Sequence, residues 1–492
     1  MLKNLFTAKS VTNKDHSLKE LRELENKYCS YGDTVHYTEH PKFFSNCEGS
    51  YVFDEAGNPY LDLQMWYSAV NFGYKNKRLN DAAHKQLDTL PQVASQYLHR
   101  EKVELATLIA KDAEKKWGTK GRVHFNVGGS QAVEDSLKLV RNYTKGKTLM
   151  FAFEGGYHGR TLGATSITSS YRYRRRYGHF SDRAQFIEFP YYFRSCACKA
   201  TGKTGTCESK SKCYGLKGMS KEEYGSYCVQ KFKRLFESEY NGVWDPKTNQ
   251  CEYAAFYVEP LLGTGGYVVP PKNFFKELKK VLDDHGVLMV VDEIQMGVYR
   301  TGKMWSIEHF DVKPDVLIFG KAITNGLNPL SGIWAKEDMI NPTIFPPGST
   351  HSTFASNPMG TAVALETIKM LQENDYETSI AEKGNYFLEG LKVLKKNHKM
   401  IGEVDGLGLA LRVEVCKAED SYTPDKAMMD WISDEGMKAD IQVDGRKYGL
   451  VLDVGGYYKN VITLAPSLDI TKSEIDLGLR LLDELFTRAE KR

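Results

Sequence analysis

An α/β architecture is what this sequence predicts: a mostly parallel central sheet with helices on both faces, plus a smaller α+β domain. Three observations predict it. Six short apolar runs, at 122–126, 148–153, 185–189, 254–258, 287–291 and 316–319, alternate with amphipathic helical stretches between about residues 76 and 335. Polar residues capable of chemistry follow directly after most of these runs, where open parallel sheets bind their ligands. Residues 336–492 read as a separate α+β unit closed by a long amphipathic helix.

Taken in order, residues 1–75 form an N-terminal segment assigned to the small domain. A helix is expected over 17–28, and 50–63 reads as a hairpin turning at Asp54-Glu55-Ala56-Gly57-Asn58. Residues 76–335 are the large domain, with a cysteine-bearing insertion at about 190–220. The final helix starts near Lys472 behind a capping box of Thr471 and Glu474, and Ile475, Leu479, Leu482 and Phe486 form its apolar stripe.

Composition narrows the function. At 492 residues, with 41% hydrophobic and 26% charged residues, the chain is long enough for more than one core. The 66 basic and 63 acidic residues leave a net charge of +3, which argues for neither nucleic acid nor membrane surface as a partner. No apolar stretch reaches the roughly 20 residues that span a bilayer. Nine cysteines, an odd number, without a recognisable secretion signal point to a reducing, cytoplasmic compartment.

The residues at the strand ends carry the chemistry. Asp292 ends the apolar run 287–291, and a buried carboxylate needs a cation or strong donors. Lys321 follows the run 316–319, where desolvation can free its amine for bonding to an aldehyde. An amine and a carboxylate gripping one ligand from two sides suit pyridoxal phosphate, which needs one for its aldehyde and the other for its ring nitrogen. A solvated loop lysine and a structural ion pair, such as Asp292 with Arg300, would leave the same traces. Gly128-Gly129-Ser130 precede a helix expected over 131–141, a pattern suited to a phosphate and equally to an ordinary capped turn. Tyr157 lies in a glycine-rich turn where its ring could stack on a heterocycle, and His158 beside it is a candidate proton carrier or a structural histidine.

Together these residues resemble the class III (ω-amino acid) aminotransferases of fold-type I. The resemblance runs from Tyr60-Leu61-Asp62 to Pro466. It is most specific in Tyr157-His158-Gly159-Arg160-Thr161-Leu162-Gly163-Ala164, in the segment from Glu259-Pro260 to Gly320-Lys321, and in His351-Ser352-Thr353-Phe354 with Asn357-Pro358. The resemblance implies that Lys321 bonds the cofactor aldehyde and carries the substrate proton, Asp292 holds the ring nitrogen and Gln295 reaches the ring hydroxyl. It implies that Tyr157 stacks on the ring, with His158 among the cofactor contacts, and that Gly129 and Ser130 hold the phosphate. Thr353 would reach the phosphate of the other subunit, making a homodimer necessary. Trp66, Tyr67 and Glu259 would line the substrate pocket.

The reaction so implied is transfer of an amino group from an amine, amino acid or ω-amino acid donor to a keto-acid acceptor in ping-pong order. A racemase or epimerase on the same scaffold, and a non-catalytic scaffold with a metal-binding cysteine loop, are the rival readings. The chain also departs from the family pattern. Met296 replaces a frequent threonine, and Val127-Gly128 replace a common Asn-Ser. Thr463 stands where an arginine commonly binds a substrate carboxylate, and Arg412 is the candidate substitute. Cys196, Cys198, Cys207 and Cys213 crowd one polar loop and are candidate zinc ligands, with free thiols or disulfides as the alternative.

Overall fold

The computed structural model describes residues 16–32, 41–177, 184–195, 216 and 218–492. In chain order its strands are β1 (Phe44–Glu48), β2 (Tyr51–Asp54), β3 (Pro59–Asp62), β4 (Gly121–Asn126), β5 (Leu149–Phe153) and β6 (Ala184–Ile187). A short pair, β7 (Trp244–Asp245) and β8 (Gln250–Cys251), precedes β9 (Tyr253–Val258), β10 (Leu288–Asp292), β11 (Val316–Phe319) and β12 (Ser331–Lys336). The C-terminal part adds β13 (Ile401–Leu407), β14 (Ala410–Val415), β15 (Ile441–Val443), β16 (Arg446–Val451), β17 (Asp453–Gly455) and β18 (Val461–Leu464).

The central sheet has the order β4-β12-β11-β10-β9-β5-β6. β12 is antiparallel to both its neighbours, and the other pairs are parallel. Alternation along the strands assigns side chains to two covered faces. Met150, Ala152, Val290, Val316 and Ile318 pack with Val133, Leu137 and Val140 of the helix Gly129–Tyr143. Phe151, Phe153, Met289, Val291, Leu317 and Phe319 pack on the other side with Phe274, Phe275 and Leu278 of the helix Phe274–Asp284. Each such apolar side chain taken out of water contributes about 1.5–3 kcal/mol, and the two layers fix where the strand ends lie.

The N-terminal strands extend a second sheet, ordered β1-β2-β3-β16-β15, in which β3 runs parallel to β16 of the C-terminal part. The β2–β3 turn is closed by Asp54 Oδ1, which accepts from the amides of Ala56 and Asn58 at 3.0 and 2.9 Å. A third sheet, β13-β14-β18-β17, sets β17 at one edge. The helix Leu18–Tyr28 and the last helix, Lys472–Glu490, both open on capping boxes, Ser17 with Glu20 and Thr471 with Glu474. Ile475, Leu482 and Phe486 of the last helix are buried and Leu479 packs against them.

Within the central sheet, β12 is the strand that the sequence reading did not anticipate. Its stretch Ser-Gly-Ile-Trp-Ala-Lys carries no alternation and no long apolar run, and it is held by pairing on both sides with β4 and β11.

Candidate active site

Asp292 ends β10 and Lys321 follows β11, its parallel neighbour, so the register of the sheet brings both to one edge. Asp292 Oδ2 lies 2.9 Å from His158 Nδ1, and its Oδ1 accepts from the Ile294 amide at 3.1 Å. Both Asp292 and His158 are buried. Burial alone would lower the His158 pKa, but the hydrogen bond and charge of Asp292, followed by the charge of Glu259, raise it above its ordinary value. The alternative reading of Asp292, an ion pair with Arg300, is not formed: Arg300 donates instead to Ser68, Asn71 and the carbonyls of Leu409 and Pro466.

Lys321 opens a short 3-10 turn, Lys321–Thr324, and its φ of 44° is the left-handed conformation that a non-glycine residue adopts at some cost. Desolvation lowers its pKa, against the opposing charges of Asp292, Glu259 and Asp453. A lysine so placed loses its proton more readily than a solvated one, as Schiff-base chemistry requires.

The glycine turns make the cradle. The helix Gly129–Tyr143 starts after β4; the amides of Gly129 and Ser130 precede its first backbone bond, from the Gln131 amide to the Gly128 carbonyl at 3.0 Å. A Cβ on Gly129 would come 2.9 Å from Ile294 Cδ1, so the helix start closes onto the loop after Asp292. Gly159 has φ +131°, and a Cβ there would sit 2.3 Å from Ser130 Oγ. Ser130 Oγ accepts from the Arg160 amide at 3.2 Å, which ties the two turns together.

Glu259, just past β9, spans two loops: Oε1 accepts from the Tyr157 amide at 2.8 Å and Oε2 from the Gly263 amide at 3.0 Å. Burial pushes its pKa up to about 7, with His158 opposing. Gln295 Nε2 donates to the Tyr267 hydroxyl at 3.1 Å. The Tyr157 ring meets Tyr173 edge-on at 5.2 Å, and the Arg160 guanidinium lies 4.6 Å from the Tyr173 ring centre. Arg160, Arg172, Tyr173, Arg175 and Tyr177 line a recess of about 520 Å³ beyond it.

Trp66 and Tyr67 lie on a left-handed turn: Met65, Trp66, Tyr67 and Ser68 have φ of 44°, 53°, 57° and 65°. Four such residues in succession are strained, and the surroundings hold them. Asp62 Oδ1 accepts from the amides of Gln64 and Met65, both at 2.8 Å. Arg300 Nε donates to Ser68 Oγ at 2.9 Å. Asn325, four residues past Lys321, bonds the Phe72 amide and the Gly73 carbonyl, so the turn and the lysine loop are fastened together. The Trp66 ring reaches Gly326, where a Cβ would lie 3.1 Å from it.

Two expected site residues stand apart. Thr353 is exposed on its loop, and no hydrogen bond among the described residues joins it to the Lys321 cluster. Arg412 is 1% exposed and held by Glu403 at 2.9 Å, Glu414 at 2.7 Å and the Tyr191 hydroxyl. A guanidinium already neutralised by two carboxylates has no charge left for a substrate, so we do not assign Arg412 to substrate binding. Cys196, Cys198, Cys207 and Cys213 lie outside the described residues. Among the described residues no group of three or more His, Cys, Asp or Glu could hold a metal. Asp453 and Tyr267 are neighbours of the cluster that the sequence reading missed. A lone acid in the apolar run Leu450-Val451-Leu452-Asp453-Val454 was the available signal for Asp453.

The amine, the buried carboxylate with its histidine and the glycine cradle match the needs of pyridoxal phosphate, and they define a pyridoxal-phosphate-dependent enzyme of fold-type I. The sequence matches the family described as Aminotransferase class-III over residues 34–486, and the chain belongs to that family. It is 30% identical over 470 residues to an ornithine aminotransferase of Staphylococcus epidermidis, covering 92% of this chain and 97% of that protein. It is 31% identical over 466 residues to an alanine/serine racemase of Pyrococcus horikoshii, covering 94% and 89%. A solved (S)-enantioselective omega-transaminase of Thermomicrobium roseum superposes with a TM-score of 0.79 at 25% identity, covering 96% of this chain and 99% of that one.

Proposed function

We propose that this transaminase takes an amino group from an amine, an ω-amino acid or an α-amino acid and delivers it to a keto acid, in two half-reactions at the one site. The observation that carries the reading is the placement of the Lys321 amine and the His158-supported Asp292 carboxylate at the ends of adjacent parallel strands. Bound pyridoxal phosphate supplies a reactive aldehyde and an electron-withdrawing ring. Asp292 would hold the ring nitrogen protonated, and His158 keeps that carboxylate oriented. Gly129 and Ser130 would take the phosphate at the helix start, Tyr157 would cover the ring, and Gln295, fixed by Tyr267, would approach the ring hydroxyl. Lys321 would move the substrate proton at Nζ, its low basicity matched to that task. Trp66 and Tyr67 would shut water out above it.

The same reading makes the functional unit a homodimer. Phe354 is 71% exposed beside Thr353, and Trp66 is 56% exposed, an apolar surface that a second copy would cover while bringing its Thr353 to the phosphate. No helix among the described residues is long and apolar enough to cross a membrane. A cytoplasmic location is proposed on the cysteine usage alone.

Borohydride reduction of the holoenzyme followed by peptide mapping tests the assignment. The reduced label is expected on Lys321, and a label on another lysine overturns it. Racemisation is the second reading, favoured by the likeness to the Pyrococcus horikoshii protein. One enantiomer incubated with the enzyme and no keto acid keeps its optical rotation if transamination is the activity, and loses it under racemisation.

A further inference from the structure

Glu259 is a buried acid held by backbone alone. It is 5% exposed just past β9, and each of its oxygens accepts one amide, Oε1 from Tyr157 at 2.8 Å and Oε2 from Gly263 at 3.0 Å. Among the described residues no ion pair and no side-chain hydrogen bond reaches it. A desolvated carboxylate is costly, and these two fixed donors are what compensate it.

Each arm leads to a part of the cofactor site. Tyr157 is followed by His158, whose imidazole holds Asp292 at 2.9 Å. A Cβ on Gly156 would lie 3.5 Å from His158 Nε2 and 3.7 Å from Glu259 Oε1, so the carboxylate lies against that turn. On the other arm, the Gly263 carbonyl accepts from the amides of Gly266 and Tyr267 at 3.0 and 3.4 Å, and the Tyr267 hydroxyl accepts from Gln295 Nε2 at 3.1 Å. A Cβ on Gly263 would come 2.1 Å from Gln295 Oε1 and 2.8 Å from Glu259 Oε2. Gly263 is therefore the point where both side chains close onto the backbone.

We propose that Glu259 is a positioning residue: its two oxygens latch the Tyr157 turn to the Gly263 loop, so that the ring-covering Tyr157 and the Gln295 side chain are set as one unit. The proposal rests on the pyridoxal-phosphate reading of the site and adds a residue that acts through others. Both arms need the anion. A protonated carboxyl turns one oxygen into a donor, which an amide N–H does not meet, so one arm opens. Burial pushes the Glu259 pKa up to about 7, so the latch is closed above that value and loses one arm as pH falls through it. The titratable groups around it, His158, Asp292, Lys321, Tyr267 and Tyr457, interact with it by charge alone.

Hydrogen exchange read at single residues of the cofactor-free protein tests the latch. Glu259→Gln keeps the size of the side chain but offers one acceptor oxygen. At alkaline pH the amide of Tyr157 or of Gly263 should then exchange about 10- to 100-fold faster, the strength of one charged hydrogen bond, while the amides of β9 and β10 keep their rates. The wild-type protein supplies a second arm. Between about pH 8.5 and about pH 5.5, after allowance for intrinsic exchange, one of the same two amides should lose protection. In the holoenzyme, the maximal single-turnover rate with an amine donor should fall about 10- to 100-fold in Glu259→Gln, with half-saturation changed by less than about threefold. The acid limb of that rate near pH 7 should vanish in the variant. Unchanged exchange at both amides in either experiment overturns the proposal. So does a raised half-saturation at an unchanged rate, the mark of a substrate contact, and so does faster exchange spread evenly over β9 and β10, the mark of a general structural loss. The exchange arms need no cofactor and the label at Lys321 reports the cofactor site, so failure of the latch and failure of that reading are told apart.

Discussion

His158 Nδ1 stands 2.9 Å from Asp292 Oδ2, with both side chains buried at the end of the central sheet. The imidazole is itself anchored through its backbone, the His158 amide donating to Thr168 Oγ1 at 2.9 Å. The carboxylate that would hold the cofactor ring is therefore oriented before the ring arrives, and no reorganisation is needed on binding.

Replacing Asp292 by Asn is expected to lower kcat/KM by about 10²- to 10⁴-fold, because the ring then has no fixed anion to keep it protonated. His158→Asn should cost less, about 10- to 100-fold, by letting the carboxylate turn. The contribution of His158 depends on pH. Because the His158 pKa is raised in the folded protein, the charged pair is complete below the ordinary value of 6.5 and is lost as pH rises through the raised one. The alkaline limb of the wild-type pH–rate profile should accordingly shift in His158→Asn, as steady-state kinetics across the range will show.

Gly159→Ala is expected to weaken cofactor retention while the protein still folds. The residue sits at φ +131°, and its new methyl would push on Ser130 Oγ. Strain of about 1–3 kcal/mol corresponds to a roughly 5- to 150-fold rise in the cofactor dissociation constant, measured by absorbance after dialysis. An unchanged constant would show that the Ser130 turn does not hold the phosphate.

Glu293 offers a stability prediction independent of catalysis. Burial pushes its pKa up to about 8, while the Ile307 amide, donating to Oε1 at 2.8 Å, pulls the other way. Its Oε2 is buried without a hydrogen-bond partner among the described residues. Between the unfolded value of 4.5 and about 8 the folded protein binds the extra proton, so stability falls as pH rises through that window. Glu293→Gln keeps the acceptor for Ile307 and removes the titration. It should stabilise the protein at alkaline pH by a few kcal/mol, about 3–5 at most, with little change near pH 4.5. Denaturant melts at the two ends of the window check this.

Arg300→Met removes four donated hydrogen bonds at once, to Ser68, Asn71, Leu409 and Pro466. Each buried acceptor left without a donor costs about 1–3 kcal/mol, so a loss of at least about 3 kcal/mol is expected. The left-handed turn under Trp66 should loosen first. Faster amide exchange at residues 65–71 than in the central sheet would register it, and a uniform change would argue against the turn being the weak point.

Much of the architecture was legible from local pattern alone. The strands of a parallel sheet are covered on both faces and read as unbroken apolar runs, so the ends of β5, β9, β10 and β11, and the chemistry after them, show in the sequence. Lys321, Asp292, Glu259 and His158 stand out for that reason. The capping boxes at Ser17 and Thr471 are equally local, since each depends on residues three apart.

Tertiary structure alone decided the pairings. β12 has no pattern of its own and exists because two neighbours complete its hydrogen bonds. Arg412 looked like a free cation in an apolar run until β13 and the Tyr191 segment folded Glu403 and a hydroxyl onto it. Asp453 reads as an isolated acid, and only the pairing of β17 with β18 sets the Thr463 hydroxyl on it. A sequence specifies which groups are present and where local elements begin and end. Which charges are already neutralised, and which still await a substrate, depends on contacts between residues far apart in the chain, and those form only when the sheets pack.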